Sequence, residues 1–275
     1  TNDNLSADEI AKVLEEVIPL HFQNVQDIQY LQGYYRGNQK ILSKTKLIRP
    51  EINNKVLENH AYYLVEFKKG YEFGDPIQYI QRGDGETKSE IEILNRFMVE
   101  NDKASKDKDL SEDWFTCGTS YRFVRSIDDE NKPFEFFNVD PKSAAVVYST
   151  DIDRKPLFGF YIVTRNDGQD DYWLATAYTK TKAFTFKIMI DREHFSSFKA
   201  EYLPETVKEK ESNWLGMIPI VEYPLNKSRF GIVELSMATL DALNKVSSND
   251  IDDIEQFVQA LSLIHISEPT RLLRS

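Results

Sequence analysis

The side chains best suited to catalysis or metal binding are few in this chain and far apart. Among the histidines, His21, His60 and His194 lack the HxxxH or HExxH spacing that places two zinc-binding imidazoles on one helix face. Cys117 is the single cysteine, so it has no CxxC partner and cannot form an intramolecular disulfide. We interpret the histidines as helix-surface or partly buried residues, and Cys117 as a buried structural thiol in a predicted strand.

Three acidic clusters are the other candidates for metal chemistry, at residues 151–153, 170–171 and 249–253. None of them supplies the oxygen ligands and central glycine of a calcium loop. Two-metal hydrolysis needs carboxylates that converge from separate elements, and Asp170 and Asp171 are the candidates for that alternative. Asp250, Asp252 and Asp253 lie beside an apolar helical stripe, which favours a solvated or subunit-facing acidic surface.

The sequence gives little support for a phosphate-binding or nucleic-acid-binding site. The pattern GxxxxGK[ST] is absent, and residues 83–85 predict only a turn. Bases could stack on Tyr34, Tyr35, Tyr62 and Tyr63, but such platforms come with a basic groove. This chain has 34 basic and 45 acidic residues and a net charge of −11. We interpret the tyrosines as core or interface residues and predict no catalytic residue, metal or cofactor.

Composition predicts a folded protein. The chain has 275 residues, of which 41% are hydrophobic and 12% aromatic, so it can bury a substantial core. No apolar run approaches the roughly 20 residues that span a bilayer, so we expect no membrane partner.

Helical periodicity dominates the first hundred residues. A capping box at Ser6 and Glu9 begins a helix that we expect to stop at Pro19. Further helices are predicted at 22–35, 55–69 with a stop at Gly70, and 86–100. Residues 101–113 alternate Lys with Asp and Glu, and we interpret them as a solvated turn leading into a short helix.

The pattern then changes to short β-rich segments separated by turns. They are predicted at 114–127, 134–137, 144–149, 157–164, 172–178, 183–190 and 194–202. Because no helices intervene, they predict an antiparallel sheet, and prolines place residues 218–224 at an edge. A long amphipathic helix follows at 232–260, with a possible break at 247–249. The fold class is therefore α+β: N-terminal helices, an antiparallel β-rich middle and a long C-terminal amphipathic helix.

Several short motifs follow one another in a fixed order. A basic-aromatic run at 53–79, preceded by Tyr34-Tyr35-Arg36-Gly37-Asn38, ends around Gly74-Asp75-Pro76. The further motifs are at 93–102 with 107–110, 117–121, 138–149, 218–226 and 240–251. Together they resemble the N-terminal part of the portal proteins of long-tailed (siphovirus-type) bacteriophages, over residues 20–260.

The resemblance implies a structural subunit, not an enzyme. Such portals form a ring, commonly of twelve subunits, at one vertex of the virion capsid after assembly in the host cytoplasm. The ring docks terminase, head-completion or adaptor proteins and capsid or scaffold proteins, and double-stranded DNA passes through it during packaging and ejection. Residues 1–231 would be the peripheral wing and 232–260 would lead into the stem, so this fragment would contact DNA weakly if at all.

The last residues have a different interpretation. Residues 261–271 match the in-frame translation of a transposase adapter used in sequencing, so we expect 261–275 to be a non-native tail. The natural protein would then continue beyond Ala260.

The long helix needs a neighbour for its apolar side. We expect Ile254, Phe257 and Val258 to face another subunit or a second stem helix. Two alternatives stay open from the residues: a metal-dependent hydrolase or nuclease on the antiparallel sheet, and a capsid-associated binding module.

Overall fold

A computed structural model describes residues 5–83, 88–127, 129, 133–166, 168, 171–189, 199–203 and 215–267. Five α-helices and a short 3-10 helix (Lys40–Ser43) occur in these ranges. The α-helices are α1 (Ala7–Tyr35), α2 (His60–Phe73), α3 (Lys88–Glu100), α4 (Lys103–Cys117) and α5 (Ile232–Ser267).

The first helix runs straight through its proline. The predicted capping box is confirmed, since the Ser6 N–H donates to Glu9 Oε2 (2.8 Å) and the Glu9 N–H donates to Ser6 Oγ (3.3 Å). The predicted stop at Pro19 is wrong, because α1 continues to Tyr35. Ile18 is buried immediately before the proline and His21 shortly after it, so packing on both sides outweighs the lost helical hydrogen bond.

The boundaries of α2 also differ from the prediction. The helix begins at His60 and runs through Gly70 to Phe73, whereas residues 55–59 are outside it. Asn59 caps it, because its side chain accepts the Tyr62 N–H. Ala61 and Val65 are buried before the glycine, and after it Phe73 packs on Trp114 and Phe115, so the helix continues past a residue that propensity alone marks as a stop.

In the charged stretch before the sheet the turn is limited to residues 101–102, and α4 follows it with one buried and one exposed face. Leu110 and Phe115 on α4 are buried, and so is Asp107, which pairs with Lys103 and with Arg122 Nη1 (2.9 Å). The strand predicted from 114 is wrong over its first residues. Cys117 is buried as expected, but it ends α4, where Gly118 at φ +77° terminates the helix.

Eight antiparallel strands form two sheets in the described ranges. Their bounds are β1 (Thr119–Ser126), β2 (Phe134–Val139), β3 (Ala144–Tyr148), β4 (Pro156–Asn166), β5 (Asp171–Tyr178), β6 (Ala183–Met189), β7 (Lys199–Tyr202) and β8 (Ile220–Pro224). The strand orders are β2-β1-β8 and β3-β4-β5-β6-β7. The α+β class, the antiparallel pairing and the edge position of β8 are thus confirmed. Residues 190–198, in which part of a strand was predicted, lie outside the described ranges.

Three apolar clusters hold the described elements together, of which the third joins the two sheets around Tyr121, Tyr178 and Ile220. In the first, Ile10, Leu14 and Ile18 of α1 pack on the five-stranded sheet around Phe160 and Phe186. In the second, the C-terminal half of α1 meets α2, α4 and α5, with these buried side chains: Leu31, Tyr34, Tyr35, Ala61, Val65, Phe115, Val233 and Leu240. The long first helix therefore joins the sheet to the helical layer that carries α5.

The start of α5 is pressed against the end of α4. A Cβ atom added to Gly231 would lie 2.2 Å from the Thr116 carbonyl oxygen, and one added to Gly118 would lie 2.0 Å from the Arg229 carbonyl oxygen. Only glycine permits such a backbone approach, so this contact fixes where α5 begins. Among the described helices, none is both long and apolar enough to cross a membrane.

Candidate assembly surface

The last helix is continuous across the residues where a break was predicted. Ser248 is fully buried and donates from its hydroxyl to the Asn244 carbonyl oxygen (2.7 Å). Serine can make this bond within a helix by reaching back one turn, so residues 247–249 need not break it. The predicted break is therefore wrong.

One face of α5 carries three buried polar side chains at four-residue spacing, which we call the polar ladder: Asn244, Ser248 and Asp252. Each accepts a backbone N–H from the extended segment before α2. The three bonds run from Glu58 N to Asn244 Oδ1 (3.0 Å), Val56 N to Ser248 Oγ (2.9 Å) and Asn54 N to Asp252 Oδ1 (2.7 Å).

The spacing of the two elements explains this match. Side chains four residues apart on a helix rise by about 6 Å, and alternate N–H groups of an extended chain repeat at about 6.6 Å. Residues 54–58 run antiparallel to α5 and present every second N–H to it. The segment is thus attached through its backbone, as a strand is attached to a neighbouring strand.

Asp252 is the most strongly held member of the ladder. Its carboxylate pairs with Lys44 Nζ (3.0 Å) and Lys46 Nζ, and accepts from the Asn54 side-chain amide (2.9 Å). Burial works to raise the pKa of Asp252, but hydrogen bonds from Lys46, the Asn54 backbone and Lys44 outweigh it and hold the pKa well below its usual range. The prediction that Asp252 lies on a solvated or subunit-facing surface is wrong.

The opposite side of α5 is apolar and exposed. We call it the outer stripe, and its members are Leu243, Val246, Ile254, Phe257 and Val258. At 3.6 residues per turn these positions lie away from Asp252. The three residues expected to face a neighbour are 64%, 64% and 54% exposed, for Ile254, Phe257 and Val258 respectively. Their role as an interface stays a prediction.

The outer stripe continues into a groove between α2 and α5. The groove is lined by His60, Tyr63, Leu64, Leu240 and Leu243. On α2, Phe67 and Tyr71 are also exposed and stack on each other at 6.3 Å between ring centroids. Tyr34 and Tyr35, by contrast, are buried, which agrees with their interpretation as core residues.

The candidate catalytic residues are not brought together. His21 is buried and its Nε2 lies 3.0 Å from the Lys142 carbonyl oxygen, with its pKa lowered by burial. His60 Nε2 lies 2.8 Å from Glu58 Oε2, and burial raises the pKa of the Cys117 thiol. Within the described ranges, no three His, Cys, Asp or Glu side chains form a group that could hold a metal. His194, Asp170 and the Asp171 side chain lie outside what the structure describes.

The attachment of α5 to residues 54–58 was not predicted from the sequence. Lys44, Lys46 and Asn54 lie about 200 residues away from the Asp252 carboxylate that they contact. One signal was present: the short polar residues Asn244, Ser248 and Asp252 recur every four positions along the helix. That spacing marks one helical face and indicates a buried polar contact.

Comparison with known proteins identifies the family. Residues 14–265 match the family model described as "Phage portal protein, SPP1 Gp6-like". The chain belongs to the phage portal protein family. Portal membership makes the chain a structural protein of an oligomeric ring at the portal vertex of the virion. No curated protein sequence matches it.

Proposed function

We propose that this chain is part of a portal subunit of a long-tailed, siphovirus-type phage, in a ring that conducts double-stranded DNA into and out of the capsid. The family match over residues 14–265 carries the proposal. We further propose that the ring has twelve subunits and that it binds terminase, head-completion or adaptor proteins, and capsid or scaffold proteins. Assembly would take place in the cytoplasm of the bacterial host.

Within the subunit we assign residues 1–231 to a wing-like region and 232–260 to the helix that leads into the stem. Support comes from α5, which packs in the helical cluster through Val233 and Leu240 and then continues as a long helix with one bound and one open face. Residues 261–275 are proposed to be the adapter-derived tail.

We assign the outer stripe of α5 to the contact with a neighbouring subunit. The polar ladder and its partners already occupy the opposite side of the helix, so α5 cannot turn to bury both sides within this chain. Burying the exposed side chains of Phe257 and Ile254 on association would contribute about 1.5–3 kcal/mol of transfer free energy each. Such contiguous apolar surface is typical of an interaction site.

Replacing Phe257 by Asp in the full-length protein tests this assignment. We expect loss of ring formation, measured by mass photometry and negative-stain electron microscopy, because a carboxylate would enter an apolar contact. The matched control is Ile152→Asp, at a fully exposed apolar residue of the β3–β4 turn, and it should leave rings intact. Unchanged rings with Phe257→Asp would refute the assignment.

A further inference from the structure

A second exposed apolar feature lies on the other side of α5. Leu47 is fully exposed and Ile48 is 83% exposed, and together they form the tip of the loop between the 3-10 helix and residue 52. We call these two residues the apolar tip. Two adjacent aliphatic side chains that are both this exposed lose apolar contact with the rest of the protein, and they could recover it by binding.

The tip is held in place at both ends. On one side, Lys44 and Lys46 pair with buried Asp252. On the other, Ile52 is almost completely buried and donates its N–H to the Arg49 carbonyl oxygen (3.1 Å). The loop therefore presents Leu47 and Ile48 from a fixed base, which lowers the entropy cost of binding through them.

Charge distinguishes the tip from the outer stripe. Residues 40–55 carry Lys40, Lys44, Lys46, Arg49 and Lys55 against the single acid Glu51, in a chain of net charge −11. Along the outer stripe the exposed charges are the acids Asp250 and Asp253. An apolar surface that carries acids and an apolar tip beside an exposed arginine are complementary in both hydrophobicity and charge.

The two surfaces also point in different directions. Residues 45–49 line a shallow depression together with Gln256, which is one turn from Asp252 on the bound side of α5. Leu243, Ile254 and Phe257 lie on the far side of the same helix. The tip therefore cannot cover the stripe of its own chain. Two unlike surfaces facing apart are what a head-to-tail ring requires, whereas a two-fold dimer would pair one surface with itself.

We propose that the apolar tip of one subunit packs on the outer stripe of α5 in the next copy of this chain, with Arg49 facing Asp250 and Asp253. This inference rests on the proposed ring function and adds to it the counter-surface for Ile254 and Phe257. Each subunit then gives a tip to one neighbour and receives a tip from the other.

Cysteine crosslinking between two variants of this chain tests the contact. Leu47→Cys protein carrying a size tag is mixed with untagged Ile254→Cys protein and treated with a short bis-maleimide. Cys117 is buried and does not compete for the reagent. We expect at least tenfold more mixed-size crosslinked dimer than from a control mixture of tagged Ile152→Cys with the same Ile254→Cys protein.

A charge reversal adds a second measurement. Arg49→Glu in the Leu47→Cys protein should reduce the mixed-size product several-fold, since it brings a carboxylate to an acidic surface. Asp253→Arg in the Ile254→Cys protein should restore it. If neither charge reversal changes the yield of mixed-size product, the assigned pairing of Arg49 with Asp250 and Asp253 is overturned.

The outcomes distinguish failure of the proposed contact from failure of the proposed ring function. Rings of the full-length wild type with no mixed product above the Ile152 control would overturn this contact and leave the proposed function standing. Dominant Ile254–Ile254 crosslinking would indicate a two-fold dimer and overturn both. Absence of rings together with absence of the mixed product would also overturn both.

Discussion

At the scale of single residues, Asp252 shows how a charge becomes structural. A carboxylate that is fully buried is costly unless it is paired, and Asp252 has two lysines and two N–H donors around it. Its partners come from a segment about 200 positions earlier, so the neighbouring acids at 250 and 253 gave the wrong indication of its surroundings. The type of residue was visible in the sequence, but its neighbours in space were not.

Asp252→Asn should destabilise the fold by about 3 kcal/mol at pH 7, because Lys44 and Lys46 lose the charge that pairs them. Asp253→Asn is the matched control, since Asp253 is the next residue and is exposed, and it should change stability by less than about 0.5 kcal/mol. Urea unfolding followed by circular dichroism measures both. Equal stabilities of the two variants would contradict the role of Asp252.

The same pair of proteins should show a defined pH dependence. The pKa of Asp252 is lowered in the folded state, so its contribution is fully present above the unfolded-state pKa of about 3.9 and is lost as pH falls below it. The stability difference between wild type and Asp252→Asn should hold from pH 7 to pH 5 and shrink below about pH 4. A difference that shrinks between pH 7 and pH 5 would point to another group.

At the scale of elements, sequence periodicity predicted which helices and strands form, whereas tertiary packing determined where each of them ends. The strand bounds agree closely with the predicted segments, because each segment pairs with its neighbours in an antiparallel register. The stops at Pro19 and Gly70 were wrong for a common reason: side chains on both sides of each residue pack against the rest of the protein, although after Gly70 only the partly buried Phe73 does so. A local breaker costs a few kcal/mol at most, which the burial of two or three large side chains offsets.

Ser248→Ala tests the attachment of α5 at this scale. It leaves the Val56 N–H without its acceptor, and we expect a loss of about 1–3 kcal/mol in urea unfolding. Ser247→Ala is the control, because Ser247 makes only an exposed side-chain bond to Glu58 (3.0 Å) and should cost less than about 0.5 kcal/mol. Similar losses in both variants would mean that the polar ladder contributes little.

At the scale of the whole molecule, charge and topology carry different information. The α+β class and the antiparallel sheets could be predicted from segment order, but their division into two sheets depends on β8 returning to β1 across about a hundred residues. No local pattern encodes such a return. Net charge, in contrast, is additive and can be counted from the sequence, and it bears directly on nucleic acid.

With a net charge of −11, this chain should bind duplex DNA no more tightly than about micromolar near physiological salt. Phosphate contacts need clustered cations, and Lys40, Lys44 and Lys46 of the basic segment already pair with carboxylates of α5. A gel-shift titration of this chain with a 30-base-pair duplex is the measurement. A dissociation constant well below micromolar, weakening steeply with salt, would contradict the expectation.

The polar ladder also leaves a readable trace in the backbone. Successive N–H groups of an extended chain point in opposite directions. The N–H groups of Asn54, Val56 and Glu58 are hydrogen-bonded to side chains of α5, so those of Lys55 and Leu57 point away from it. Amide hydrogen–deuterium exchange should therefore be slow and fast at alternate residues through this segment. That alternation would report whether α5 is bound to residues 54–58 of its own subunit at each stage of capsid assembly, without a chemical label at the interface.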